Sequence, residues 1–512
     1  MSAVSNIYLI IFLPLLASLL CQLLDRKFLP FTIAISSSAL LLFFIGKAFL
    51  DVSAYKIIGN DFELSPISIA LEFRLDIVGI SFLSLIVFLK TVILFYYRGD
   101  IEESLAENNK KTFYSVYLLN LFALVGIFTS NNLLNLFVFL EIYALSFFGS
   151  FFGSFFAISA ISNDVEIAKS SFKYFCSNAA ASLLILFCFL VIYLVSGDLN
   201  FNKISQDLQI IENKWFLELI LLLLLAAFLI KFFPTQLHLK SLNRPDSMVR
   251  FLAVDSLFIK TNIGIFVILK FIYFIFGKAT IFKSFDFTPL VILISLILIF
   301  YSAIKLYQQL SQNGNLKKIA AYFCLNNIGF IIACIALKTT DSLQSLFFYI
   351  LNFSLINLAI FIFAAFLERN FGNAEIDKIS LIRKKYFSLA FPIKLFLFFI
   401  ASFPLSILFF ANWYLACASM NIGFEIFLLV ALVASNFVQI NFVIKLISAF
   451  SDKVVIEETS DVVEEMPDLG VKKYQFYLVS FWFLVIAAYG SIFALAVTNN
   501  LSLDFALYVK GA

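Results

Sequence analysis

Apolar runs of about twenty residues recur along the whole chain, and no other feature limits its fold as strongly. A helix crossing a bilayer needs ~20 predominantly apolar residues, because its backbone polar groups must be satisfied within the segment itself. Such runs lie near 5–23, 30–50, 76–97, 112–130, 132–158, 168–195, 215–237, 249–277, 287–306, 317–337, 342–367, 386–419, 423–449 and 474–499. The sequence therefore predicts an all-α polytopic membrane protein with about 14 transmembrane helices. Charge agrees. Only 13% of the 512 residues are charged and 62% are hydrophobic, with mean hydropathy +1.00, whereas a water-soluble domain carries ~25% charged residues. The stretch from Asn6 to Leu23 has no basic segment before it and is long enough to span, so it reads as a retained helix rather than a cleaved leader.

Composition removes several function classes. The six cysteines lie in or beside apolar runs, without a CxxC pair or metal-ligand spacing, and read as small buried hydrophobes. His238 is the single histidine, which excludes a histidine-built metal or haem site within the chain. No glycine-rich phosphate loop follows a strand, so nucleotide and flavin binding have no support. No cofactor, no metal and no nucleic-acid partner is expected.

Basic residues set the expected orientation. With the N-terminus outside, 19 lysines and arginines fall in the cytoplasmic loops, Arg98, Lys111, Arg250 and Lys318 among them, against 8 in the external loops. Both termini are thus expected on the outer side, in a bacterial inner membrane. The external stretch from Asp51 to Arg74 alternates apolar and polar residues and suggests a short hairpin. The acidic segment from Glu457 to Asp468 falls in the last cytoplasmic loop, as a solvated loop or a binding site for a cytoplasmic partner.

Three ionisable residues lie well inside apolar spans: Glu141 in the fifth, Lys231 in the seventh and Lys260 in the eighth. A charge at the bilayer centre costs ~2.5–3.5 kcal/mol on insertion scales, and residues that incur this are usually functional or paired. Pro234 lacks a backbone N–H and clashes with the carbonyl of Ile230, so the helix should break beside Lys231. A carboxylate whose influence on a buried lysine changes loads and unloads that lysine with a proton. The bland alternative is a static salt bridge between Glu141 and one lysine, although two lysines for one acid fit it less naturally. Lys90, Lys394 and Lys445 lie close enough to span ends to reach the interface. Pro404 interrupts the long 386–419 run as Pro234 interrupts 215–237, and paired broken helices point to an inverted-repeat transporter.

At these residues the chain resembles the antiporter-like subunits shared by respiratory complex I and Mrp-type cation/proton antiporters, from about Arg74 to Lys445. Leu134-Asn-Leu-Phe-Val-Phe-Leu-Glu141 is similar to the family's fifth-helix signature. Lys173-Tyr174, Asn178-Ala-Ala-Ala-Ser182 and Gly197-Asp-Leu-Asn200 are similar to the sixth helix and its exit. The spacing from Lys231 to His238, the pair Lys260-Thr261, and Asn315-Leu-Lys-Lys-Ile-Ala-Ala-Tyr322 with Ile328-Gly329-Phe330 follow in order.

The resemblance implies two inverted five-helix repeats with broken helices near Pro234 and Pro404. It divides the chain into helices 1–3 over 1–111, a first repeat over 112–277, a second over 287–449, and an acidic loop with the last helix over 450–512. It implies a relay through Glu141, Lys231 and Lys260, with His238, Lys394, Asn412 and Lys445 as accessory candidates. The partners it implies are membrane lipid, other membrane subunits of a Mrp-type or complex I-type assembly, and protons or Na⁺. Departures concern the second half. Phe323, Cys324 and Asn327 replace a Ser-Ser and a His, Asn357 falls in a helix that often carries His and Lys, and Asn412 falls where an exit-side Lys or Glu is expected. Asparagine hydrogen-bonds but carries no proton charge at neutral pH. The short tail after the last span favours a D-type Mrp subunit or a middle complex I subunit. Two readings stay open: a proton-translocating or cation/proton antiporting subunit, and a non-conducting structural paralogue. Catalysis by the chain alone is not expected, and a stand-alone solute carrier lacks a substrate cluster.

Overall fold

A computed structural model describes residues 2–24, 29–55, 57–63, 70–105, 107–146, 165–211, 214–232, 247–276, 288–312, 314–372, 374–376, 402–403, 406–420, 425–451 and 495–511, with Ile379, Ile393 and Ile400 besides. Ten helices among them are long and apolar enough to cross a membrane, and Ile7–Leu23, Leu133–Ser146 and Ile407–Ser419 are shorter apolar helices. Pro234, Pro404, the acidic segment Glu457 to Asp468 and most of the predicted last span lie outside the described residues. The chain forms two compact units, Met1–Phe285 and Asp286–Gly511.

The first unit begins with α1 (Ser2–Leu23) and α2 (Leu29–Tyr55). The expected hairpin follows as β1 (Ile57–Glu63) and β2 (Ala70–Asp76), antiparallel with Ile57 opposite Asp76. It starts later than the sequence suggested because α2 continues through Asp51 to Tyr55. The carboxylate of Asp76 then accepts from the backbone N–H of Gly79 at 2.6 Å and caps α3 (Ile77–Tyr96). Next come α4 (Arg98–Ser104), α5 (Glu107–Thr129), α6 (Leu133–Ser146) and α7 (Val165–Ser196). Then follow α8 (Phe201–Ile210), α9 (Lys214–Phe232) and α10 (Ser247–Leu269), the last continuing as a π turn over Lys270–Ile275. α8 is amphipathic, burying Phe201, Ile204 and Leu208. Just before it, Asp198 is held below its ordinary carboxylate value. Partial burial opposes this, but the Asn200 N–H and the Lys203 ammonium outweigh it.

The second unit contains α11 (Thr288–Ser311), α12 (Leu316–Leu337) and α13 (Thr340–Leu351). A π turn over Asn352–Ile356 leads into α14 (Asn357–Phe371), followed by α15 (Ile407–Ser419), α16 (Glu425–Ser451) and α17 (Leu495–Gly511). α17 is helical to Gly511, where the sequence suggested a short tail beyond 499. Ser402, Phe403 and Ser406 are non-helical, Ser402 has φ +52°, and Ser406 accepts from the N–H of Phe409 to start α15 afresh.

Exposure sorts the spans. Those at 109–129, 254–275, 316–337 and 340–370 are mostly buried in protein, whereas those at 29–52, 176–196 and 291–311 turn most of their residues outward. The inward spans carry Asn120, Lys260, Asn326, Asn327, Asn352 and Asn357, all buried, as expected where polar groups avoid lipid. Close helix approach explains one glycine. A β-carbon at Gly126 on α5 would fall 2.1 Å from Phe139 Cδ1 on α6. Gly126→Val should therefore overpack this crossing and cost ~1–3 kcal/mol. A thermal unfolding scan in detergent checks this, and an unchanged midpoint would contradict it.

Candidate functional site

Glu141 on α6, Ser182 on α7 and Lys231 at the end of α9 meet in the first unit. The Lys231 ammonium donates to Glu141 Oε1 at 2.6 Å and to Ser182 Oγ at 2.6 Å. The lysine side chain is 2% exposed and that of the glutamate 31%, so Glu141 is the open member of the pair and Lys231 the desolvated one. An ammonium has three donors and no acceptor; a carboxylate and a hydroxyl satisfy two of them. Ser182 sits in the alanine- and serine-rich stretch of α7, where no local pattern marks it as a partner of the lysine. Lys260 is buried on α10, which packs against both α3 and α9. His238 and Lys394 lie outside the described residues.

A second buried ion pair corrects the reading of Lys90. Rather than reaching for the interface, its ammonium lies 3.4 Å from Asp255 Oδ2, with the two side chains 2% and 4% exposed. An acid on α10 outcompetes the interface because the two helices pack together, a contact 165 positions away in sequence that no local pattern announces. The ammonium also sits 4.6 Å from the Tyr117 ring centroid, and the Tyr117 hydroxyl donates to the Lys90 carbonyl at 2.9 Å. Asp255 Oδ1 and Asn120 Oδ1 are buried without a hydrogen-bond partner among the described residues; such an acceptor costs ~1–3 kcal/mol unless it is satisfied.

Lys270 is a further buried lysine that sequence reading passed over. It opens the π turn, donates to the Ser130 carbonyl at 2.8 Å, and lies 5.2 and 5.3 Å from the Phe201 and Phe266 ring centroids. π turns recur at functional sites. α10 thus carries Asp255, Lys260 and Lys270, all buried.

The second unit holds a neutral network instead. Tyr349 donates to Asn412 Oδ1 at 2.5 Å, and Asn412 donates to Asn436 Oδ1 at 3.0 Å and Ser402 Oγ at 3.3 Å. Ser402 donates to Gln439 Oε1 at 3.4 Å, Gln439 to Ser435 at 3.2 Å, Ser435 to Asn326 Oδ1 at 2.7 Å, and Asn326 to Ser302 at 3.0 Å. Asn352 donates to Asn327 at 3.3 Å, while Asn357 Nδ2 is buried without a partner among the described residues. Lys445 donates to the carbonyl of Leu310 at the end of α11, a position where a cation favours the helix terminus. Lys317 pairs with Glu368.

Residues 130–438, more than half of the chain, match the family described as NADH:quinone oxidoreductase/Mrp antiporter, transmembrane. The chain belongs to this family. It is a multi-pass integral membrane protein. A relative in the family is the N-type NADH-quinone oxidoreductase subunit of Wolbachia sp. subsp. Brugia malayi (strain TRS), 24% identical over 62% of this chain and 65% of that protein. The D-type Na(+)/H(+) antiporter subunit of Alkalihalophilus pseudofirmus (strain ATCC BAA-2126 / JCM 17055 / OF4) is 24% identical over 59% of this chain and 57% of that one. The matched stretch therefore spans less than two thirds of either relative. A chain of the Mrp complex from Dietzia sp. DQ12-45-1b shares the fold, with TM-score 0.75 at 17% identity, over 100% of this chain and 98% of that one. Such relatives are subunits of multi-subunit membrane assemblies.

Proposed function

We propose that this chain is a proton-translocating or cation/proton antiporting membrane subunit of a multi-subunit complex, with Glu141, Lys231 and Lys260 as its proton relay. The observation that carries the reading is the contact of a desolvated lysine with both a partly open carboxylate and a hydroxyl at 2.6 Å. In a hydrocarbon slab such a lysine has defined acceptors when protonated, and a change at the open carboxylate alters how firmly the proton is held. Lys260, on the helix packed against α9, is the acceptor for the proton Lys231 releases, reached through water. A static salt bridge between Glu141 and Lys231 accounts for that contact alone, whereas the relay also gives the buried Lys260 a role.

The reading includes fourteen spans, two inverted five-helix repeats broken near Pro234 and Pro404, and the divisions 1–111, 112–277, 287–449 and 450–512. It includes both termini on the outer face of a bacterial inner membrane, contact with lipid and sister subunits, and protons or Na⁺ as cargo. His238, Lys394, Asn412 and Lys445 remain accessory candidates. A second reading, a non-conducting structural paralogue, is favoured by the all-neutral hydrogen bonding around Asn412.

Lys260→Ala in sealed inverted vesicles tests the relay. Proton-coupled transport should fall about 100-fold, the scale of losing a positioned acid–base group, with insertion and assembly intact. Wild-type transport in that variant would favour the structural paralogue.

A further inference from the structure

We propose that Lys90 and Asp255 form an additional proton-exchange site, one that loads Lys260 from the end of the first unit where α3 stops and α10 starts. The inference rests on the relay reading above and adds one step to it. Its basis is position. Lys90 lies 6 residues before the end of α3 at Tyr96, and Asp255 lies 8 residues after the start of α10 at Ser247. At 1.5 Å per residue the pair sits about 9–12 Å inside those helix ends. Lys260 follows Asp255 by 5 residues, about 7.5 Å deeper along the same helix. The pair is therefore nearer that end of the bundle than Lys260, which lies about 140° round the helix from Asp255, so water has to bridge the two.

The site is not saturated as a purely structural pair would be. Asp255 binds Lys90 through Oδ2 alone, and Oδ1 has no hydrogen-bond partner among the described residues although the side chain is 4% exposed. Asn120 presents a second acceptor in the same state, and its amide ties α5 to Ser146 of α6 at 2.9 Å. The phenols of Tyr117 and Tyr143 lie in the electrostatic field of Asp255 from α5 and α6. A carboxylate held by one oxygen takes a proton on the other without giving up its position. In the proposed step a proton carried in by water forms an O–H bond at Asp255 Oδ1. That bond breaks as the neutral Lys260 amine takes the proton through water, and the carboxylate returns to its pair with Lys90. Asp255 carries the proton; Lys90 positions it.

The experiment compares the neutral, similarly shaped pair K90Q/D255N with wild type in inverted vesicles holding the whole assembly, beside Lys231→Ala and Lys260→Ala. The expected result is at least a tenfold loss of transport in K90Q/D255N at wild-type protein level. Transport within twofold of wild type, while Lys231→Ala and Lys260→Ala lose it, overturns this inference and leaves the relay standing. Normal transport in Lys231→Ala and Lys260→Ala removes the relay itself and this step with it. Asp255→Glu keeps the charge and serves if the neutral pair does not accumulate. Infrared difference spectra recorded during transport should show a protonated-carboxyl band that moves between wild type and Asp255→Glu; identical spectra overturn the proposal.

Discussion

Lys231→Ala should abolish proton-coupled transport, by about 100-fold or more, while the protein still inserts and assembles. Two consequences of the change have to be separated. Alanine removes the proton carrier, and it also leaves Glu141 without its cation. Breaking a fully buried pair destabilises by ~3–5 kcal/mol because one charge is stranded. A carboxylate stranded inside an apolar span can take a proton and become neutral instead of staying charged, however, and this limits the penalty. Loss of transport should therefore exceed loss of protein. Lys231→Arg is the sharper variant. It preserves the charge and can still donate to Glu141 and Ser182, but a guanidinium does not give up its proton. A static ion pair tolerates arginine; a relay does not. Glu141→Gln should be milder, near tenfold on the scale of a tuning interaction of ~1.4 kcal/mol, because Ser182 and the amide oxygen still accept from the ammonium. Fluorescence quenching in inverted vesicles, with native gels for assembly, reads all three, and full transport in Lys231→Arg would defeat the relay.

Much of this was legible because the bilayer simplifies the grammar of a sequence. Run length marks the spans, and an ionisable residue inside a run stands out against its neighbours, as Glu141, Lys231 and Lys260 do. Partnership was not legible, because it is made between helices. Lys90 and Asp255 are 165 positions apart, and each taken alone looks like a residue near a span end. Lys270 also stands in an apolar run, 249–277, but near its end, and its partner, the backbone carbonyl of Ser130, has no signature in sequence. Ser182 was part of a recognisable stretch, yet its role depends on how α7 and α9 face each other. Asn412 shows the opposite case. Its departure from the expected charge was visible at once, but only the structure reveals that Tyr349, Asn436 and Ser402 tie it down on both its oxygen and its nitrogen.

That arrangement makes Asn412→Lys a strongly destabilising change. The side chain of Asn412 both accepts, from Tyr349, and donates, to Asn436 and Ser402, and an ammonium only donates. Tyr349 loses its acceptor, and a charge enters a network with no ionised group among its described members to answer it, at ~2.5–3.5 kcal/mol on insertion scales. The expected result is a marked drop in folded protein and in thermal midpoint. Adding Asn436→Asp places a carboxylate where the asparagine oxygen already meets residue 412, and should recover most of the loss. If Asn412→Lys alone is as stable as wild type, the neutral network is not what holds these helices. The recovered double variant also separates the two functional readings. A rise in transport would mean that the second half was limited by a missing carrier, since its hydrogen-bonded chain already runs from Ser302 to Tyr349. Unchanged transport would mean that the asparagines serve to lock helices together, and that conduction, where it occurs, belongs to the unit holding Glu141, Lys231 and Lys260.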